Sequence, residues 1–147
     1  MGHHSAMSAP ADIVPLLQKA TYRSAGLGTN LTLRHELADD CLKLLVSGSA
    51  SDTLPETFTD SVTALFTKIR PTQAAVDLTT CTTLPSVILA FLVFWQKTAE
   101  ECGCPKVVLY GVNPRILTMI KMIGMFDFFA VVADEAAMRA WYAQGKS

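Results

Sequence analysis

The alternation of apolar and polar positions predicts a pair of strands near the start of the chain. LTLRHEL (31–37) alternates with the period of two that is typical of a half-buried strand. ADD then supplies turn residues, and CLKLLVSGS (41–49) continues as a second strand. We expect the two strands to form an antiparallel hairpin, with His35 on the polar, solvent-facing side of the first.

After Gly48 the pattern changes to helices that alternate with short apolar strands. The predicted elements are a helix over 58–69, a strand over 74–78, a helix over 85–102, a strand over 106–112, a helix over 113–124, a strand over 126–132 and a helix over 133–144. Asn113 is a suitable N-cap for the third of these helices, and Gly124 a suitable end. The order predicts an α/β fold, in which a mixed sheet of about five strands opens with the β-hairpin and packs against about four helices.

The segment before the hairpin is divided into two parts. MGHHSAM (1–7) resembles the remnant of an expression tag, so its histidines are not interpreted as metal ligands. Residues 8–30 form a lead-in, in which ADIVPLLQKATYR predicts a short helix and SAGLGTN a loop. A single domain is then expected over residues 31–144.

Composition and charge narrow the class of protein. Half of the 147 residues are hydrophobic and 17% are charged, which indicates a packed globular domain. The formal net charge is -1 and no basic stripe is present, so a nucleic-acid partner is not expected. The longest apolar run, 87–95, is about half the length of a spanning helix, so no membrane insertion is expected. With no signal peptide after the tag, we expect a cytoplasmic protein.

The chain offers few residues for catalysis or metal binding. Its four cysteines are Cys41, Cys81, Cys102 and Cys104. Only the last two lie close together, and a zinc site would need two more ligands near them, so we expect reduced, structural thiols and no metal site. Asp77 ends a short buried strand, where an aspartate most often supports a loop by accepting bonds from backbone amides. Neither an enzyme nor a cofactor site is predicted.

The segment from Asp77 to Ile88 resembles the central signature of the STAS domain, the fold of bacterial anti-sigma factor antagonists. In that family a strand ends in Asp-Leu or Asn-Leu, a short loop follows, and Asp-Ser-Ser-Gly or Asp-Ser-Thr-Gly opens a helix. Asp77 and Leu78 match the strand end without a gap, and Ser86 falls on the first serine. Residues 109–141 resemble the family's C-terminal strand, Gly-Val-x-Pro turn, helix and closing strand and helix, and VSGS (46–49) resembles the corner after its second strand.

The resemblance implies a regulator that acts by protein–protein binding. In the family, the serine accepts phosphate from an anti-sigma factor that is also a kinase, and phosphorylation releases that partner. An anti-sigma factor, a switch kinase or another protein is therefore the implied partner, and a homodimer is compatible with it. The implied site residues are Ser86 as phosphoacceptor, Thr82 and Thr83 as less favoured acceptors, Asp77 as loop support, and Thr80, Pro85, Ile88 and Arg115 as partner contacts.

Two departures from the signature keep other interpretations open. Pro85 replaces the family's aspartate and Ile88 its glycine. They favour a second hypothesis, a divergent STAS subunit of a signalling scaffold or transporter assembly without a phospho-switch, in which Ser86 is an ordinary first-turn residue. The apolar run 87–95 is expected either to be covered by the lead-in or to face a partner. A ligand sensor, with the lead-in over a pocket, is a third hypothesis.

Overall fold

The computed structural model describes residues 11–23, 31–38, 40–48, 54–83, 86–104 and 106–144, except for the side chain of Ser86. The strands are β1 (Tyr22–Arg23), β2 (Thr32–Ala38), β3 (Cys41–Ser47), β4 (Gln73–Asp77), β5 (Val108–Tyr110) and β6 (Ala130–Val132). The α-helices are α1 (Val14–Lys19), α2 (Glu56–Ile69), α3 (Ser86–Glu101), α4 (Pro114–Met122) and α5 (Glu135–Ala143). The predicted α/β fold is thereby confirmed.

The six strands form one mixed sheet in which neighbours in sequence are neighbours in space. The first three are antiparallel, and β3 to β6 run parallel because a helix connects each to the next. Ala38 pairs with Cys41 at the turn of the predicted hairpin, which is confirmed. The strand that was not predicted is β1, which lies in the lead-in, where Tyr22 pairs with Leu33. The predicted loop over 24–30 lies outside the described residues.

The two faces of the sheet are covered by different helices. Along β4, Ala74 and Val76 point into the larger apolar cluster, which they share with α2, α3 and α4. Ala75, between them, points to the other face, where Met138 of α5 completes a smaller cluster. This alternation follows from the two-residue period of a strand. Both faces of the central strands β4 and β5 are therefore buried, which explains the apolar sequences Ala-Ala-Val and Val-Leu-Tyr.

The apolar helix α3 contacts α2. Its fully or nearly fully buried side chains recur at helical spacing: Ile88, Phe91, Leu92 and Trp95. The ring of Phe91 lies 5.2 Å from that of Phe58 on α2. The lead-in helix α1 packs against α2 and β2. Among the described residues, no helix is both long and apolar enough to cross a bilayer.

The prediction that His35 faces solvent is wrong, because its side chain is 3% exposed. In LTLRHEL it has the same parity as Leu31 and Leu33, so it points into the core with them. Trp95 donates its indole N–H to His35 Nε2 at 3.0 Å, and His35 Nδ1 lies 2.7 Å from the carbonyl oxygen of Ala20. Since the indole can only donate, Nε2 is the acceptor and Nδ1 carries the proton.

The predicted strand over 126–132 is correct only in its second half. Phe126–Phe128 forms a 3₁₀ helix, and β6 begins at Ala130. The aromatic residues of this segment favour a strand by their intrinsic preference. In the fold, however, the rings of Phe128 and Phe129 pack against each other, 5.0 Å apart and perpendicular. Tertiary packing therefore overrides the local preference.

A hydroxyl-lined rim as the candidate functional site

Five hydroxyl side chains gather where β3 and β4 end, and we call them the rim: Ser47, Thr79, Thr80, Thr82 and Thr83. The four threonines are exposed and the serine is half-buried. Parallel strands end at the same edge of a sheet, where binding sites of α/β proteins commonly lie. The hydroxyl oxygens of Ser47 and Thr80 therefore meet at 2.8 Å, although 33 residues separate them.

The loop that carries the rim threonines is fixed to the end of β3 by backbone hydrogen bonds. The N–H of Gly48 donates to the carbonyl oxygen of Thr80 at 3.1 Å, and the N–H of Thr82 donates to that of Gly48 at 3.4 Å. Gly48 and Cys81 thus pair as an isolated parallel bridge. The loop has an ordered backbone, so its hydroxyl groups are presented in a defined arrangement.

Asp77 lies directly below this loop. Its carboxylate accepts a hydrogen bond from the backbone N–H of Thr79 at 2.9 Å. Tyr110 is its neighbour on β5; burial raises the pKa of the Tyr110 hydroxyl, and the Asp77 carboxylate raises it further. The hydroxyl therefore stays protonated at neutral pH. The contacts of Asp77 are those of a residue that supports the loop.

Asn113 joins the rim to α4, a role that the sequence did not indicate. Its side-chain oxygen accepts the N–H of Ile116 at 2.8 Å, which is the predicted N-cap. Its amide nitrogen also donates to the carbonyl oxygens of Cys81 at 3.2 Å and Thr82 at 3.3 Å. One side chain thus fixes both the start of α4 and the rim. Arg115, exposed in the first turn of α4, adds a cation at the start of this helix.

The other residues that the sequence predicted for the site are Ile88, Pro85 and Ser86. Ile88 is fully buried, so its prediction as a partner contact is wrong: this position of α3 faces the core. Pro85 lies outside the described residues. Ser86 is the first residue of α3, three residues after Thr83, and its side chain is not described. Among the three candidate phosphoacceptors, the side chains that the structure shows to be exposed are therefore those of Thr82 and Thr83.

The chemistry beside the rim favours hydrogen bonding over nucleophilic attack. Cys81 is buried and its thiol donates to the carbonyl oxygen of Thr83 at 3.0 Å. Burial raises the pKa of this thiol to about 11, so it is protonated at neutral pH. His35 is enclosed in the core with both ring nitrogens engaged. Within the described part of the chain, no three His, Cys, Asp or Glu residues are placed to hold a metal ion.

The fold is STAS-like, and the resemblance inferred from the sequence is confirmed at the level of the fold. No family model matches the chain, and no curated protein matches it.

The likeness of the fold rests on comparison with solved structures. One is RsbS of Moorella thermoacetica, a STAS-domain anti-sigma factor antagonist solved with a serine-to-glutamate substitution. It has a TM-score of 0.65 and 15% identity, and the alignment covers 75% of this chain and 96% of that chain. Another is the protein TM1081, solved by NMR, with a TM-score of 0.60 and 11% identity over 81% of this chain and 90% of that chain.

Proposed function

We propose that this chain is a cytoplasmic, non-catalytic regulator that binds another protein through the rim, in the manner of an anti-sigma factor antagonist. The observation that carries the proposal is the set of exposed threonines on a loop that β3 and Asn113 hold in place. A loop that is already ordered loses little conformational entropy on binding, which favours a stable complex. The likeness of the fold to RsbS supports this class of function.

The proposed partner is an anti-sigma factor that is also a switch kinase, and the proposed phosphoacceptor is Ser86. Thr82 and Thr83 are the alternative acceptors, and both are exposed. A phosphate adds about -1.5 to -2 charges at neutral pH. At Ser86 it would lie at the N-terminus of α3, where the partial positive charge of the helix stabilises an anion. The same charge within the contact surface would repel the partner and release it.

Incubation with the cognate switch kinase tests this proposal directly. Before ATP is added, the chain and the kinase should co-elute in size-exclusion chromatography. After ATP is added, mass spectrometry should find phosphate on Ser86, or on Thr82 or Thr83, and the affinity should fall about 100-fold because about 3 kcal/mol of desolvation and repulsion oppose the complex.

Alanine variants identify the acceptor. Ser86→Ala, Thr82→Ala and Thr83→Ala are compared with Thr63→Ala, a matched control on α2 whose hydroxyl donates only to Thr59 within its own helix, at 3.2 Å. One of the three variants at the candidate positions should abolish release while the control behaves as the native chain. Absence of phosphate from all three candidate positions would remove the phospho-switch.

A second candidate function keeps the binding surface without the switch. In it the chain is a divergent STAS subunit of a signalling scaffold or of a transporter assembly. It is favoured by Ile88, which is fully buried where the family signature has glycine, and by Pro85 in place of the signature aspartate. Genes for a kinase and a phosphatase beside this one would favour the switch, and genes for transporter components would favour the assembly subunit.

A further inference from the structure

Most of the large exposed apolar side chains of the described chain lie in one short segment. Four large apolar side chains are exposed, and three of them lie between residues 122 and 126: Met122 is 81% exposed, Ile123 47% and Phe126 38%. We call these three side chains the apolar corner. The fourth, Val14, lies on α1. Single exposed apolar residues are ordinary, whereas a cluster of three marks a candidate interface.

The apolar corner is separate from the rim. Helix α4 begins beside the rim at Asn113 and ends at Met122, and nine helical residues span about 13 Å. The corner therefore lies at the opposite end of α4, where the chain turns into β6. A partner on the rim would leave the corner uncovered.

The apolar corner adjoins an open edge of the sheet. β6 pairs with β5 on one side, and on its other side no strand of the described chain is paired with it. Its sequence, Ala-Val-Val, contains neither a charge nor a proline, the residues with which edge strands usually avoid pairing. The 3₁₀ helix that contains Phe126 contacts both α4 and β6, so the corner lies next to this edge strand.

Two charges of opposite sign flank the apolar corner. Lys121 Nζ lies 5.0 Å from the centre of the Phe126 ring. Asp127 is the residue after Phe126. Both side chains are exposed, and within the described part of the chain neither forms an ion pair. One charge of each sign beside an apolar centre allows the same surface on two copies to pair across a twofold axis, with each cation opposite an anion.

We infer that the apolar corner and the β6 edge are a self-association surface, whose occupant is a second copy of this chain. In the twofold dimer Met122, Ile123 and Phe126 of the two copies pack together. Lys121 of each copy faces Asp127 of the other, so the contact occurs twice. Because the rim lies at the opposite end of α4, the dimer would present two free rims. This inference is independent of the identity of the rim's partner.

Charge reversal tests the twofold geometry. Sedimentation equilibrium of the full chain, from micromolar to millimolar concentration, should show a monomer–dimer equilibrium. Lys121→Glu and Asp127→Lys should each raise the dissociation constant about tenfold or more, because each turns both attractive pairs repulsive. An equimolar mixture of the two variants should dimerise again. In the mixed dimer the introduced glutamate of one variant faces the introduced lysine of the other, and the native Asp127 and Lys121 face each other as before.

Apolar variants give a second test at the same surface. Met122→Ser should weaken the dimer, whereas Val14→Ser, an exposed apolar residue on α1, should leave it unchanged. All these positions are exposed, so circular dichroism should show a native fold. A native chain that stays monomeric throughout, or a dimer that neither charge reversal nor Met122→Ser weakens, would overturn the inference, as would a variant mixture that remains monomeric.

Discussion

Replacing Gly111 by alanine should lower the free energy of unfolding by about 2–4 kcal/mol and should displace the rim. Gly111 has a φ of +71°, a conformation that side chains disfavour. A Cβ added there would overlap the hydroxyl oxygen of Thr79 and lie 2.9 Å from its Cα and N atoms. Since two of these atoms belong to the backbone, the loop itself would have to move. Urea denaturation measures the loss of stability.

Gly124→Ala is the matched control for this substitution. Gly124 also has a positive φ, +76°, but a Cβ there meets no heavy atom within 4 Å. Only the backbone strain remains, so the expected loss is about 1 kcal/mol. Equal losses at Gly111 and Gly124 would contradict the close approach of Gly111 to the rim loop.

Lowering the pH from about 7.5 to about 5 should destabilise the folded chain by about 2 kcal/mol through His35 alone. Burial lowers the pKa of His35 to about 4, against about 6.5 in an unfolded chain, and the bond to Ala20 opposes this only in part. Below pH 6.5 the unfolded chain takes up a proton that the folded chain does not bind until about pH 4. Stability is therefore fully present above pH 6.5 and falls by roughly 1.4 kcal/mol per pH unit within this window.

His35→Gln isolates this contribution. A glutamine side chain can still donate and accept hydrogen bonds near Ala20 and Trp95, but it does not titrate. Urea denaturation of the variant should show a much smaller loss between pH 7.5 and 5 than that of the native chain. The same slope in both proteins would contradict the assignment of the pH dependence to His35.

Much of the fold is predictable because its signals are local. The two-residue period of β2 and β3 and the later helical spacing give the order of elements from residue 31 onward. The pairing of β1 is different, since two residues carry no periodicity and their partners, Leu33 and Thr32, lie eleven and nine residues further on. His35 was predicted wrongly for a different reason. Its position two residues after Leu33 indicated burial, but the polarity of its side chain favoured solvent.

The rim could be predicted only in part. Asp77 and the threonines follow one another in sequence, so their proximity is local. Ser47 joins them because β3 and β4 are parallel, and the common edge of parallel strands could have indicated it. Asn113 could not be found in this way, because its bonds to Cys81 and Thr82 depend on how α4 docks.

Site-specific photo-crosslinking in the organism that encodes the chain tests most directly whether the rim binds a protein. A photoreactive residue is placed at Thr82 on the rim or, as a control, at Thr63, an exposed position on α2. We predict that irradiation produces a discrete crosslinked protein from position 82 and none from position 63. No crosslink from position 82, or the same products from both positions, would contradict a protein-binding rim.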